Sequence, residues 1–342
     1  MQTAIGSGHM PLDEVLLVIA IGAYTIGALA LIVYFFSREE WLAHLGIPLA
    51  LAGCAAQFAQ LAARFEITHV WPLLNLYGSL SLFSAVSVGI FIYFAFRYRL
   101  WFAGGFVLAL AALFLAYGST WNEGVMPPVP SLQSYWAKIH VPLVVSSYAA
   151  FMVAFVMAAL FLVKYYFERG LEGNRFSVSR MMAVAGAENV RSTYDYQIAQ
   201  MAMPDAGISS PAVVTKMDTP NIAQAAAQGN AAAAWMNAMP SLAQMDVLFY
   251  RIVAVGLPLL TLGIITGAMW AHESWGAYWQ WDPKETAALF SWIVYAIYMH
   301  LHTRAQWRGV RSAWISLVGF LSIMFCYFGV NLWISGLHSY KV

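Results

Sequence analysis

The chain has 342 residues, of which 61% are hydrophobic and 10% charged, and its formal net charge is +1. Soluble domains carry roughly 45–50% apolar and about 25% charged residues, so much of this surface must face lipid rather than water. The near-neutral charge makes no case for a nucleic-acid partner. Cys54 and Cys326 form neither a CxxC pair nor a zinc spacing, so the chain carries no dithiol chemistry of its own.

Residues 1–11 read as an N-terminal extension in which Gly6-Ser7-Gly8-His9-Met10 resembles a tag remnant. Asp13 and Glu14 stand where a signal peptide would be basic, and the apolar run continues to Phe36, long enough to span. Apolar segments of spanning length lie at about 12–36, 41–63, 77–96, 100–118, 141–166, 246–270, 285–302 and 312–335. The expected fold is an all-α polytopic membrane protein with about eight transmembrane helices, five of them in 12–166 and three in 244–342. Segment 167–243 interrupts the pattern. It is rich in Ala, Gln, Met, Asn and Pro, and reads as a partly disordered cytoplasmic connector with a short surface helix near Ala231–Met236.

Lys and Arg set the orientation. With the N-terminus outside, Arg38, Arg97, Arg99, Lys164, Arg169, Arg175, Arg180, Arg191, Lys216, Arg251, Arg304, Arg308 and Arg311 fall on or beside inner segments. Arg64, Lys138, Lys284 and Lys341 fall outside, and the inverted topology would reverse that bias. Both termini are therefore expected on the outer side of a bacterial inner membrane.

Two outer loops differ in character from the rest. Thr120–Lys138 carries Trp121, Pro127, Pro128, Pro130, Tyr135 and Trp136, and the stretch from Ala271 to Glu285 crowds Trp275, Tyr278, Trp279 and Trp281 together. An aromatic belt at a membrane interface spreads its rings over many helix ends. Crowding in one loop favours a platform for a large flat apolar ligand. The Asp282-Pro283-Lys284-Glu285 run that follows has the form of a helix start, with an N-cap, proline at the first helical position and a capping box.

The histidines narrow the ligand. His69 and His272 read as solvated interface residues. His140, which opens the fifth segment, and His338, which follows the eighth, share the outer face with the tryptophan loop, as the two axial ligands of a heme iron would. His300 lies fifteen residues past Glu285, roughly 22 Å deeper along a helix, where an ionisable side chain is a functional hypothesis by default. His302 points to nearly the opposite side, beside Arg304, and reads as solvated. His44 lies at a depth similar to His300 and either pairs with it or snorkels.

WGAYWQWDPKETAAL at 275–289 resembles the tryptophan-rich WWD signature of heme-handling membrane proteins. FCYFGVNLWISGLHSY at 325–340, KIHVPLVVSSYAAF at 138–151 and NLYGSL at 75–80 resemble the CcsA (ResC) branch of that family. The resemblance implies that His140 and His338 ligate heme at the outer site. It implies that His300 ligates a second, intramembrane heme whose companion histidine comes from a CcsB (ResB)-like partner. It also implies that Trp275, Trp279, Trp281 and Asp282 hold the porphyrin, and Tyr278 joins them as a member of the same crowded aromatic loop. Ala287 stands where a further Trp is common in the family, and Gly78 where Glu is common.

The expected function is that of the CcsA-type subunit of a cytochrome c synthase, a heme lyase. Heme b moves outward from His300 and is presented for thioether attachment to the CxxCH motif of apocytochrome c. A separate thioredoxin-like reductant keeps the substrate cysteines reduced. The runner-up is a b-type cytochrome that retains its heme for electron transfer, which calls for paired histidines on facing helices inside the bilayer. A small-solute transporter calls for charged or broken helices at the midplane, and none is seen.

Overall fold

The computed structural model describes residues 10–73, 75–98, 100–122, 130–202 and 239–334, those at 171–202 and 332 by their backbone. The tag-like stretch up to His9, the helix expected near Ala231–Met236 and His338 lie outside the described residues. Among the described residues all regular structure is helical.

The helices are α1 (Leu12–Ser37), α2 (Glu40–Thr68), α3 (Leu76–Tyr98), α4 (Gly104–Ser119), α5 (Tyr135–Ala202), α6 (Leu242–Trp275), α7 (Pro283–His302) and α8 (Val310–Met324). A π-helical turn, Phe325–Gly329, carries α8 into a last short helix, Val330–Trp333. Most helices overrun their apolar stretches, because capping groups and interfacial residues extend the hydrogen-bonded ladder past the hydrocarbon. Ser241 and Gln244 form a capping box before α6, and Asp282 and Glu285 form the expected one before α7. The helix α5 runs on to Ala202, well into the stretch read as a connector.

Among the described residues seven helices are long and apolar enough to cross a membrane. Pro283–His302, expected as a span, is not among them. It has 20 residues, and Lys284, Glu285, His300 and His302 stand at its two ends. It packs against α6 and α8.

The chain divides into two compact units. The second, Val163–Ala238, holds a Lys164–Glu168 pair one helical turn apart at 3.6 Å. The first comprises Met1–Leu162 and Met239–Val342. In it α1 packs on α2 and α4, and α3 on α4 and α2, around Tyr24, Leu31, Val88, Leu108 and Leu115. A chain of buried side-chain hydrogen bonds crosses this group. Tyr24 donates to Gln57 (2.7 Å), Gln57 to the Ser81 carbonyl (2.7 Å), Ser81 to Gln60 (2.7 Å) and Gln60 to Tyr77 (2.9 Å). Lipid offers polar groups no partners, so such side chains must satisfy one another and thereby fix which helix faces meet.

The early part of α5 packs with α6, α7 and α8. Phe151 stacks on Tyr295 at 3.7 Å, Phe155 lies against Phe320, and the Ser147 hydroxyl donates to the Gly256 carbonyl. The π-turn then meets α3 and α4 through Ser79–Tyr327 (2.6 Å) and the stacked Phe114–Phe328 pair. Helix ends alternate, so the end of the bundle bearing the 276–282 loop also holds Asp13, Arg64 and Asn122. There Arg64 joins Asp13 at 3.2 Å and Asn122 at 3.0 Å.

Candidate functional site

The site grows from the close approach of α5 and α6. A Cβ added at Gly256, Gly263 or Gly267 would lie within 3 Å of Phe151, Val144 or His140, all on α5. Glycine at these positions lets the two backbones draw together, as small residues do between membrane helices. The approach brings the His140 ring to the Gly263 carbonyl, with Nδ1 at 2.7 Å. A carbonyl only accepts, so Nδ1 carries the hydrogen, and in the neutral ring Nε2 carries the lone pair. Metal-ligating histidines are commonly held in this way through the second nitrogen.

His140 lines an open, largely apolar pocket with Val144, Tyr148, Leu260, Ile264 and Ala268. The far wall is built by Tyr278, Trp279, Lys284, Glu285, Ala288 and Cys326. The π-turn supplies Cys326, whose thiol sits 3.6 Å from the Tyr148 hydroxyl. Lys284 donates to Asn331 at 2.8 Å and so joins the start of α7 to the last short helix, Val330–Trp333. Among the described residues no three His, Cys, Asp or Glu side chains group as a metal-chelating set.

The tryptophan loop hangs between α6 and α7. Gly276, at φ 81°, ends α6 in the left-handed conformation that glycine adopts without strain. His272 stacks on Tyr278 at 4.2 Å, and Trp270 packs on Trp275 at 5.4 Å and on the His140 ring at 5.6 Å. Trp279 and Trp281 meet edge to face at 5.7 Å and 88°. The Trp270 indole donates to the Ser131 carbonyl, and Ser134 donates to Glu273, which ties the loop before α5 to the end of α6.

The structure therefore brings three of the residues singled out from sequence into one pocket: His140, Tyr278 and Trp279. Trp275 packs beside them, outside the lining. Trp281 is 68% exposed, and Asp282 is buried as the N-cap of α7. His300 is exposed on α7 and stands apart from the pocket. His44, His69 and His272 are exposed, and His69 ends α2 in the left-handed region.

His302 is the correction. It is buried, not solvated, with Nε2 3.0 Å from Asp246 and its ring stacked on Tyr250 at 4.2 Å. The other oxygen of Asp246 accepts from the Gly309 amide (2.9 Å) and the Ser312 hydroxyl (3.0 Å), so one carboxylate gathers α6, α7 and α8. Sequence reading missed Asp246 and Gly267, and gave Glu285 only as the closing residue of a capping box. The Gly263-x-x-x-Gly267 spacing was a usable signal for close helix packing, whereas nothing local marks the partner of Asp246.

Residues 73–338 match the family described as Cytochrome C assembly protein. A cytochrome c biogenesis protein CcsA of Gloeobacter violaceus is 34% identical over 311 residues, 89% of this chain and 88% of its own. The CcsA of Porphyra purpurea is 34% identical over 323 residues, 91% of this chain and 92% of its own. That of Heterosigma akashiwo is 32% identical over 287 residues, with 83% and 80% covered. Among solved structures, a cytochrome c heme lyase CcmF superposes with a TM-score of 0.57 at 14% identity. The match covers 96% of this chain and 48% of that one, a likeness of fold.

Proposed function

The chain belongs to the cytochrome c assembly protein family, and we propose that it binds heme at the loop end of its helical bundle and presents it for attachment to apocytochrome c. It is a multi-pass membrane protein of cytochrome c biogenesis. The heme reading rests on one observation above all. His140 is held through Nδ1 by a backbone carbonyl, and the residue lines a largely apolar pocket together with Trp279 and Tyr278. That is the donor set of an axial heme ligand beside a π-rich wall.

In this reading His140 supplies one axial bond and His338 the other. Trp279 and Tyr278 flank the macrocycle, Trp275 and Trp281 frame the loop, and Asp282 fixes the start of α7. The substrate brings the chemistry: heme b carries two vinyl groups, across each of which a cysteine thiol of the CxxCH segment adds. The protein's part is to orient the group and exclude competing contacts. A thioredoxin-like reductant keeps the acceptor cysteines as thiols.

His300 faces out of the bundle, which suits a second heme shared with a CcsB-like partner. The loop end then faces the outside of the bacterial inner membrane, with both termini on that side. The basic residues Arg97, Arg251, Arg304, Arg308 and Arg311 cluster at the opposite end, as the positive-inside bias requires. A b-type cytochrome that keeps its heme is less well supported. It needs two imidazoles facing each other within the bundle, whereas His300 points outward and His302 is engaged with Asp246.

The test is coexpression with the partner and an apocytochrome c, followed by heme staining and absorption spectra. His140→Ala or His338→Ala should abolish maturation and empty only the outer site, with imidazole partly restoring it. His300→Ala should deplete both sites if heme travels outward through the chain. Normal holocytochrome yield in the His140 and His338 variants would sink the proposal, and a fully loaded outer site in His300→Ala would sink the relay.

A further inference from the structure

We propose that Glu285 is a positioning residue of the heme pocket: its carboxylate grips the loop on both sides of Trp281 and so sets how Trp279 and Trp281 are displayed. The functional half of this inference rests on the heme reading above; the conformational half does not.

Three residues other than glycine adopt positive φ among those described: Arg38 at 62°, His69 at 54° and Trp281 at 57°. Arg38 and His69 have an ordinary reason. Each follows the last turn of a helix, and its amide donates to the carbonyl four residues back, Tyr34 and Phe65 respectively. Trp281 ends no helix. It stands one residue before the N-cap of α7. A bulky side chain in the left-handed region is disfavoured, and glycine or asparagine would take that conformation more readily. Such an outlier persists only where its surroundings over-determine it.

The surroundings here are specific. Glu285 Oε2 accepts from the Gln280 amide at 2.9 Å and from the Asp282 amide at 3.2 Å, the two amides that flank Trp281. The Thr286 hydroxyl donates to the Trp281 carbonyl at 3.4 Å. A capping box needs only the bond to Asp282; the bond to Gln280 is additional and pins the far side of Trp281. Bonds from amides to a carboxylate are charge-assisted and short-ranged, so they hold the backbone stiffly. The outcome is a pair of edge-to-face indoles of which Trp279 lines the pocket and Trp281 stands 68% exposed beside it. Glu285 itself lines the same pocket.

A four-membered cycle on the full-length protein in nanodiscs tests this: wild type, Glu285→Ala, Trp281→Gly and the double variant, each melted thermally without heme and then titrated with hemin. Trp281→Gly should raise the melting midpoint in the wild-type background, because glycine tolerates the left-handed conformation, and should raise it by less once Glu285 is gone. Equal shifts of Trp281→Gly in both backgrounds would overturn the inference. Glu285→Ala should weaken hemin binding about tenfold or more, and Glu285→Gln, which keeps an oxygen acceptor, should weaken it less. If Glu285→Ala proves too unstable to purify, the same Trp281→Gly comparison in a Glu285→Met background, which keeps the side-chain length but has no oxygen acceptor for the two amides, decides the matter in the same way. Unchanged hemin affinity in Glu285→Ala, with affinity lost in His140→Ala, would remove the positioning role and spare the heme site. Hemin binding that ignores His140→Ala would overturn the heme reading, while the melting cycle would still decide whether Glu285 holds Trp281.

Discussion

Gly267→Ala is the most direct test of how the bundle presents His140. A Cβ built on Gly267 falls 2.8 Å from both Nδ1 and Cε1 of that ring. Nonbonded heavy atoms settle near 3.5–4.0 Å, so the imidazole must retreat by about 0.7 Å or more. Nδ1 is also the atom that donates to the Gly263 carbonyl at 2.7 Å, one helical turn away on the same helix, so the retreat stretches or breaks that bond. Overpacking costs about 1–3 kcal/mol, and a lost net hydrogen bond adds about 1 kcal/mol. Loss of the bond that orients a metal-ligating histidine typically weakens the metal about 10–100-fold. Hemin affinity of Gly267→Ala in nanodiscs, read from the Soret band, should fall by that factor while the protein still inserts. Gly22→Ala and Gly89→Ala are the controls, because a Cβ at either meets nothing within 4 Å. Their hemin affinity should equal that of the wild type, with stability unchanged or raised by up to about 1 kcal/mol from helix propensity. Wild-type hemin affinity in Gly267→Ala would refute the claim that this close approach sets the ligand.

Two further outcomes follow from the packing. Asp246→Ala removes one partner of a buried pair and three hydrogen bonds, so it should destabilise the folded chain by about 3–5 kcal/mol; a thermal midpoint equal to the wild type would show that the α6–α7–α8 clamp is dispensable. Gln57→Leu breaks the buried chain between Tyr24 and Ser81 and should cost about 1–2 kcal/mol, measured by detergent-induced unfolding, whereas an unperturbed profile would mean that shape alone holds α1, α2 and α3 together.

Lipid as solvent made part of this protein legible from composition and order alone. A long apolar run cannot be anything but a helix in hydrocarbon, since its backbone must satisfy itself, so the spanning helices were visible with their loops. Local chemistry was equally legible. Asp282, Pro283 and Glu285 lie within four residues of one another, and the capping box they form depends on nothing distant. The tryptophan-rich loop and His140 stood out for the same reason, as residue types out of place in an apolar sequence.

What tertiary structure decided is which face of each helix turns inward. In a soluble protein the polar face marks itself, but core and lipid are both apolar, so hydropathy cannot separate them. His300 and His302 lie two residues apart and look alike in sequence; one is exposed, and the other is buried against an aspartate 56 positions away. The Gly263 carbonyl that orients His140 is 123 positions distant. The left-handed backbone at Trp281 runs against its residue type, because tryptophan disfavours it; the Glu285 carboxylate, which accepts from the amides on either side, and the Thr286 hydroxyl hold it there. Sequence determined where helices and chemistry lie along the chain; packing decided which of those groups meet, because glycine-mediated contact and buried hydrogen bonds act between helices, not within them.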